Sequence, residues 1–179
     1  MKTVNVKIEG ISPLLQHRFP TAGADEPSKK RTGVPDYKAE AELSLYKDSG
    51  QIYQPSSHIE GALANAAKSF KISGKRGATY RKLVASTIEV WPDAIPHIFQ
   101  EYMIDERPVV IQKARVIRYR PRFDKWALEF ELRLLDDQLS PATVKEILDH
   151  AGLYVGIGDW RPDKAGKFGK FMVTKYEVK

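Results

Sequence analysis

Cysteine is absent from this 179-residue chain, and so is any long run of apolar residues. The lack of thiols excludes a disulfide framework, a thiol nucleophile and thiolate-ligated metal sites. No run approaches the length that crosses a bilayer, and the opening residues alternate from Met1 to Ile8 without the apolar region of a signal peptide. We therefore expect a cytoplasmic protein without a membrane partner.

Histidine is sparse, and its spacing is not that of a metal site. The four histidines are scattered, at His17, His58, His97 and His150, so we expect neither a metal nor a cofactor. Metal-independent RNA cleavage needs only a general base and a cation near the phosphate, which His17 beside Arg18, or His58, could supply. An endoribonuclease therefore stays an alternative, although His58 and His150 also fit the first and last turns of helices.

Acidic residues are missing from one long interval. None occurs between Gly61 and Thr87, where the chain carries Lys68, Lys71, Lys75, Arg76, Arg81 and Lys82. Gly74 and Gly77 flank Lys75-Arg76, and a loop of one charge sign repels itself unless an anion visits it. The whole chain has a net charge of +6 and a pI of about 9.4, which also favours an anionic partner. A solvated loop with an accidental charge bias is the alternative.

Length and hydrophobic periodicity predict one α+β domain over residues 1–179. With 42% hydrophobic residues the chain can bury a sizeable core. Alternation predicts a first strand with Val4, Val6 and Ile8 on one face, then an irregular segment over about 12–38 that contains Arg18 and the cluster Lys29-Lys30-Arg31. Strand-like runs at 42–46 and 51–53 flank a hairpin turn.

Two helices follow from capping and periodicity. Ser57 and Glu60 have capping-box spacing before an apolar pattern that lasts to Phe70. Ser140 followed by Pro141 predicts the start of the second helix, which Gly152 is expected to end. Residues 83–90 fit either a strand or the end of a helix.

A long hairpin is predicted over residues 109–135, with its bend at 120–124. The return arm alternates and places Trp126, Leu128, Phe130, Leu132 and Leu134 on one face. The outgoing arm interleaves cations with an aromatic ring, a composition that suits phosphates and stacked bases, in Lys113, Arg115, Arg118, Tyr119, Arg120 and Arg122. Charged strands also protect sheet edges, which is the competing interpretation.

A glycine-rich loop precedes the last predicted strand, 168–178. Glycine lets the backbone turn through positive φ or approach a ligand closely, and the cations of this loop add positive charge for phosphate. The candidate binding residues are Gly156, Gly158, Trp160, Arg161, Lys164, Lys167, Phe168 and Lys170. The loop lacks the order of a P-loop and precedes a strand, so nucleotide-fold motifs do not apply. A turn that only closes the sheet is the alternative.

Reduced to elements, the chain predicts the βαββαβ order of the ferredoxin-like fold, one antiparallel sheet backed by two helices. RNA-recognition modules of this architecture bind single strands on the open face of the sheet. The loop Gly156-x-Gly158…Gly166-x-x-Gly169-x-Phe171 and the segment Pro55–Leu63 resemble the RAMP superfamily of CRISPR-associated RNA-binding proteins. The pairing of residues 158–162 with 166–169 is, more narrowly, similar to a family of uncharacterised phage-type proteins.

The resemblance implies a backbone-type subunit that polymerises along RNA, because the processing nucleases of that group generally have two such domains. We therefore predict a non-catalytic, sequence-tolerant protein that binds single-stranded nucleic acid, RNA in preference to DNA, and forms homo-oligomers or filaments along it. The alternatives are a metal-independent endoribonuclease and a structural or protein-interaction module.

Overall fold

The computed structural model describes residues 1–19, 37–111 and 113–179. In these ranges the strands are β1 (Lys2–Gly10), β2 (Leu14–Leu15), β3 (Lys47–Asp48), β4 (Gln51–Pro55), β5 (Ile88–Trp91), β6 (Ala94–Pro96), β7 (Met103–Ile111), β8 (Ala114–Phe123), β9 (Ala127–Leu134) and β10 (Phe171–Val178). The α-helices are α1 (Tyr37–Leu43), α2 (Ser56–Ala66), α3 (Arg81–Thr87) and α4 (Pro141–His150). None of these helices is long and apolar enough to cross a membrane.

The main sheet has four antiparallel strands in the order β10-β1-β9-β5. As the alternation of apolar residues predicted, β1 and β9 bury one face each, with Val4 opposite Leu132 and Val6 opposite Phe130. Helices α2 and α4 supply the other half of this core through Ile59, Leu63, Val144, Ile147 and Leu148. The opposite face of the sheet carries mostly charged and polar residues, with Trp91 and Met172 exposed among them.

The predicted βαββαβ fold with one sheet and two helices is wrong for this chain. The described residues form ten strands in three antiparallel sheets, together with four α-helices. The second sheet has the order β2-β8-β7, and the third has the order β3-β4-β6. These additional strands are short, or carry charge at positions that alternation would assign to a core, so periodicity alone did not separate them from loops.

The predicted hairpin over 109–135 is also wrong. Strand β8 runs through the expected bend to Phe123 and pairs along its length with β7, not with β9. Strand β9 lies between β1 and β5 in the main sheet. The actual turn of the hairpin follows Ile111 and includes Lys113, whose φ of 69° occurs without a glycine, so no turn residue in the sequence marks it.

The predicted helix boundaries met mixed outcomes. The N-cap of α4 is confirmed, since the Ser140 hydroxyl accepts a hydrogen bond from the Thr143 N–H at 3.0 Å with Pro141 in the first turn. The capping box of α2 is wrong, because the helix begins at Ser56 without a side-chain cap and Glu60 accepts instead from the Val90 N–H at 3.1 Å.

Other boundaries moved by a few residues. Gly152 does not end α4, the second of the two predicted helices. The chain continues from α4 as a π-helical turn over Ala151–Val155, up to Gly156 at φ 68°. Residues 42–46 are not a strand, since 42–43 complete α1, but the turn at 49–50 is confirmed between β3 and β4. Residues 83–90 divide between α3 and β5, and the last strand begins at Phe171. Within the predicted irregular segment, Leu14–Leu15 form β2, while the cluster Lys29-Lys30-Arg31 lies outside the described residues.

Candidate nucleic-acid interface

The glycine-rich loop, residues 156–170, is held by hydrogen bonds to itself and to the segment around β2. Within the loop, the N–H of Ile157 donates to Gly169 O at 3.0 Å, and the N–H of Phe168 donates to Trp160 O at 3.0 Å. Toward β2, the N–H of Asp159 donates to Leu15 O at 2.9 Å. These bonds satisfy buried backbone groups and fix the loop as a rigid support for its side chains.

Gly158 is a glycine for reasons of packing. Its φ is 76°, and a Cβ would lie 2.5 Å from Leu15 O and 2.6 Å from Leu14 Cδ1. The close approach that glycine permits here is therefore an approach to β2. This differs from the expectation that the missing side chain makes room for a ligand.

A cleft of about 130 Å³ separates one side of α2 from the glycine-rich loop. Its polar lining is formed by Ser57, His58, Asn65 and Arg161, with backbone of Gly156 and Gly158 on the other wall. Arg161 Nη1 donates to Gly158 O at 3.1 Å, and Nη2 lies 3.6 Å from Asp163 Oδ2. One guanidinium beside several hydrogen-bonding groups suits a phosphate or another small anion.

His58 lies in this cleft as a neutral imidazole. Burial lowers its pKa, and the nearby Arg161 guanidinium lowers it further. Its Nδ1 contacts Gln54 Nε2, and its ring meets that of Tyr46 edge-on at 5.4 Å between centroids. With Nδ1 accepting from the Gln54 amide, Nε2 carries the proton, which makes His58 a hydrogen-bond donor through Nε2.

Three of the predicted arm arginines are engaged within the chain. Arg120 is buried, with 7% of its surface exposed, and its Nη1 lies 2.6 Å from Asp159 Oδ2 in the glycine-rich loop. Arg118 Nη1 lies 3.2 Å from Glu40 Oε1 on α1, and Arg122 Nε lies 2.6 Å from Asp124 Oδ1. These ion pairs fasten β8 to its surroundings, so the expectation of exposed arginines fails at Arg120. Tyr119 is buried as well.

Among the predicted binding cations of the arm and the loop, the exposed ones lie at the tip of the β7–β8 hairpin and on the glycine-rich loop. Lys113 and Arg115 are exposed at the tip, and Lys164 and Lys167 are exposed on the loop. None of these four has a carboxylate partner among the described residues. Lys170 is half-buried, with its N–H donating to Ser12 Oγ at 3.0 Å. The four exposed cations are therefore available to phosphate groups.

Arg107 is an important residue that sequence reasoning missed. Its guanidinium carbon lies 4.6 Å from the centroid of the Phe168 ring and 5.5 Å from that of Trp160. It also forms a two-pronged ion pair with the buried Asp105. The interleaving of charged and aromatic residues was visible only from Lys113 onward, because Arg107 stands between Glu106 and Pro108. Only the fold brings it to the aromatic residues of the loop.

Two predicted basic segments do not join this cluster. Lys75 and Arg76 are exposed on the loop between α2 and α3, where Lys75 lines a separate groove with Ile72, Leu83 and Gln138. Arg18 is half-buried beside α1, and its N–H donates to Ser44 O at 2.9 Å. The structure therefore divides the predicted interface into a main surface and a second basic groove.

The open face of the main sheet has the wrong charge for a nucleic-acid platform. Residues that alternate with the buried positions of its four strands point away from the helices. They include five carboxylates, at Glu9, Glu89, Glu129, Glu131 and Glu177, against three cations, at Lys7, Arg133 and Lys175. A net negative face repels phosphate, so the binding mode of RNA-recognition modules does not transfer to this sheet.

In the part of the chain that the structure describes, no group of three or more His, Asp or Glu side chains is placed to hold a metal ion. No protein-family model matches the chain, and no curated protein matches its sequence. The candidate interface consequently stands on geometry and charge alone.

Proposed function

We propose that this chain binds single-stranded nucleic acid along the surface where the β7–β8 hairpin crosses the glycine-rich loop. One observation carries the proposal: the hairpin and the loop, which are distant in sequence, meet through Arg120 and Asp159 at 2.6 Å and through Arg107 over Phe168 at 4.6 Å. Their meeting joins the hairpin that carries the exposed cations Lys113 and Arg115 to the loop that carries the exposed Trp160 and lines the anion-sized cleft. Cations and stacking surfaces together are what single-strand binders use.

The preference for RNA rests on two supports. The cleft offers the Ser57 hydroxyl and the Asn65 amide, side chains that can donate to and accept from a ribose 2′-hydroxyl. The resemblance to the RAMP superfamily points in the same direction and stays a prediction. Contacts to backbone and sugar carry no base identity, so binding is sequence-tolerant.

Salt dependence of binding provides the direct test. A double variant, Lys113→Ala with Arg115→Ala, removes two exposed cations from the hairpin tip. Removal of each cation that neutralises a phosphate should reduce the slope of log affinity against log salt by about 0.7 on a single strand. We expect the slope to fall by roughly 1.4 for the two together. The measurement is anisotropy of a labelled 12-nucleotide RNA, and of the matching DNA, at several salt concentrations.

The matched control is Lys47→Ala with Lys179→Ala. Both lysines are exposed and without a described carboxylate partner, and their removal changes the net charge equally. The control should keep the original slope. Equal slopes for both double variants would show that only the overall charge matters. An affinity independent of salt would refute electrostatic binding, and no RNA binding even at low salt would support a protein-interaction module instead.

Self-association along the ligand is the second part of the proposal. The β7–β8 hairpin exposes a group of apolar side chains, and such a patch on a protein surface often marks an interaction site. The group consists of Met103, Ile104, Val110, Val116 and Ile117, with Val110 70% exposed. On a long strand, such an arm can pack against the neighbouring copy. Val110→Asn, which adds no charge opposite Arg115, should then prevent growth of scattering particles on a long oligomer while a 12-nucleotide strand still binds. Met172→Asn, an exposed site on β10, is the control.

An endoribonuclease is the second candidate, and the cleft supports it. His58 is neutral because its pKa is lowered, and the Arg161 cation lies on the same cleft. In the tautomer that Gln54 sets, Nε2 carries the proton, so His58 would act as a general acid, or as a general base only after Nδ1 releases the Gln54 amide. The Arg161 guanidinium would supply the anion-stabilising group that metal-independent cleavage requires. Cleavage of a labelled RNA that disappears in His58→Ala, while binding remains, would favour this candidate. An intact RNA after prolonged incubation would favour binding alone.

A further inference from the structure

We infer that Trp160 is a base-stacking site, with Arg107 as the residue that positions it. The inference deepens the proposed function and rests on it, because it names the part of the ligand that this place takes: an unpaired nucleobase. Phosphate contacts alone would require only the cations of the surface.

Trp160 combines an exposed side chain with an unfavourable backbone conformation. The side chain is 39% exposed, and the residue has a φ of 50°, which a bulky residue adopts at a cost. The conformation is held by the Phe168 N–H donating to Trp160 O at 3.0 Å. Gly166 packs so closely on the same carbonyl group that a Cβ would collide with it. The loop thus fixes an indole ring at the surface.

Arg107 supports the ring from within the protein. Its guanidinium lies over Trp160 at 5.5 Å and over Phe168 at 4.6 Å, measured from Cζ to the ring centroids. The carboxylate of Asp105, which is 8% exposed, holds both Nε and Nη2 of Arg107, so the guanidinium plane has little freedom to rotate. Phe168 is only 3% exposed, which leaves the Trp160 ring as the aromatic surface open to a ligand.

The chemistry favours a base as the occupant. Every nucleobase has a π-face that stacks on an indole, so the site is tolerant of sequence, as the rest of the surface is. The Arg107 guanidinium, whose charge is paired with Asp105, adds a cation–π contact that holds the indole in place for a base on its open face. The exposed cations Lys164 and Lys167 belong to the same loop as Trp160 and would bind the adjoining phosphates.

Tryptophan fluorescence tests the inference with few complications. The chain has three tryptophans: Trp126 is buried, and Trp91 is 43% exposed under the guanidinium of Arg133 on the acidic face of the main sheet. In a Trp91→Phe protein, Trp160 is therefore the exposed fluorophore. Stacking of a base should quench its emission as a 12-nucleotide RNA is added, while anisotropy of a labelled RNA reports binding separately.

Two alanine variants give a matched comparison. Trp160→Ala should lower affinity roughly tenfold, the decrease expected for one stacked base, while the salt slope stays unchanged because no phosphate-binding cation is removed. Trp91→Ala, an equally exposed tryptophan with its own stacked arginine, should change affinity less than twofold. Arg107→Lys keeps the charge but not the planar stack, and should reduce the quenching at saturation.

The outcomes separate this inference from the proposed function. Binding by anisotropy without quenching in the Trp91→Phe protein, or equal affinities of Trp160→Ala and Trp91→Ala, overturns the stacking site and leaves the proposed function intact. Absence of binding in the unmodified protein overturns both. Should Trp160→Ala melt at a much lower temperature, Trp160→Phe and Trp160→Leu replace it, because both fill the place with an apolar side chain and only Phe keeps a stacking ring. Trp160→Phe should retain affinity and Trp160→Leu should lose it, and equal affinities of the two would overturn the stacking site.

Discussion

Substitution of Gly158 by alanine should destabilise the protein without altering its binding surface. The added Cβ would lie 2.5 Å from Leu15 O, well inside an ordinary contact, at a residue whose φ is 76°. The left-handed backbone costs an L-residue about 1–2 kcal/mol. Relief of the close approach requires β2 to move from the loop, which endangers the 2.9 Å bond from the Asp159 N–H to Leu15 O at a cost of about 1 kcal/mol. The free energy of unfolding should fall by roughly 2–3 kcal/mol.

The measurement is urea unfolding, with a melting curve in parallel. For a chain of this size, each kcal/mol shifts Tm by about 2–4 °C, so a fall of roughly 4–12 °C is expected. Gly50→Ala isolates the backbone cost, because Gly50 has a φ of 89° and nothing within 4 Å of an added Cβ. Gly61→Ala, on α2 with open space around it, should instead stabilise by about 0.5–1 kcal/mol.

The decisive quantity is the difference between the variants. Gly158→Ala should lose at least about 1 kcal/mol more than Gly50→Ala, and RNA affinity per folded molecule should stay unchanged. Equal losses of stability at the two glycines would refute the packing of the loop on β2. A fully stable Gly158→Ala that no longer binds RNA would restore the expectation of a ligand-facing glycine.

Three further predictions concern stability. Arg120→Met should lower the free energy of unfolding by about 3 kcal/mol, because it leaves Asp159 without its buried partner. The double variant Arg120→Met with Asp159→Asn should recover part of this loss. If the two single losses simply add in urea unfolding, the residues are not coupled. Burial lowers the pKa of His97 to about 4, so between pH 6.5 and pH 4 the imidazole is protonated in the unfolded chain but not in the folded one. The free energy of unfolding should be highest above pH 6.5 and fall by about 3 kcal/mol toward pH 4. His97→Gln should reduce this decrease in melting curves recorded at several pH values. Ser140→Ala should cost about 1 kcal/mol by removing the cap of α4, whereas Ser57→Ala, at a position expected but not found to cap α2, should cost much less in the same assay.

Sequence patterns correctly predicted only those helices and strands whose formation depends on residues close together in the sequence. The buried faces of β1 and β9 follow from strict alternation, because side chains of a strand point to opposite faces in turn. The start of α4 follows from Ser140 and Pro141, which act on the backbone within one turn. The three-sheet architecture did not follow, because β2, β3 and β6 have only two or three residues each and show no period.

The candidate site divides in the same way. Composition alone marked the glycine-rich loop and the basic arm, since glycine and charge are visible without a fold. Composition did not show that Arg120 forms an ion pair with Asp159, or that Gly158 packs on Leu15. Those facts depend on which strands become neighbours, and no single residue carries that information.

The sequence by itself determined the basic charge, the two strands that centre the main sheet, the cap of the last helix and the aromatic, glycine-rich composition of the loop. The tertiary structure alone decided which cations remain free for a ligand and which face carries them. The physical reason is that an ion pair such as Arg120 with Asp159, or the placement of Arg107 over Phe168, joins residues whose separation is set by strand pairing and loop closure. Periodicity and capping act over a few residues, whereas burial of a charge depends on everything packed around it.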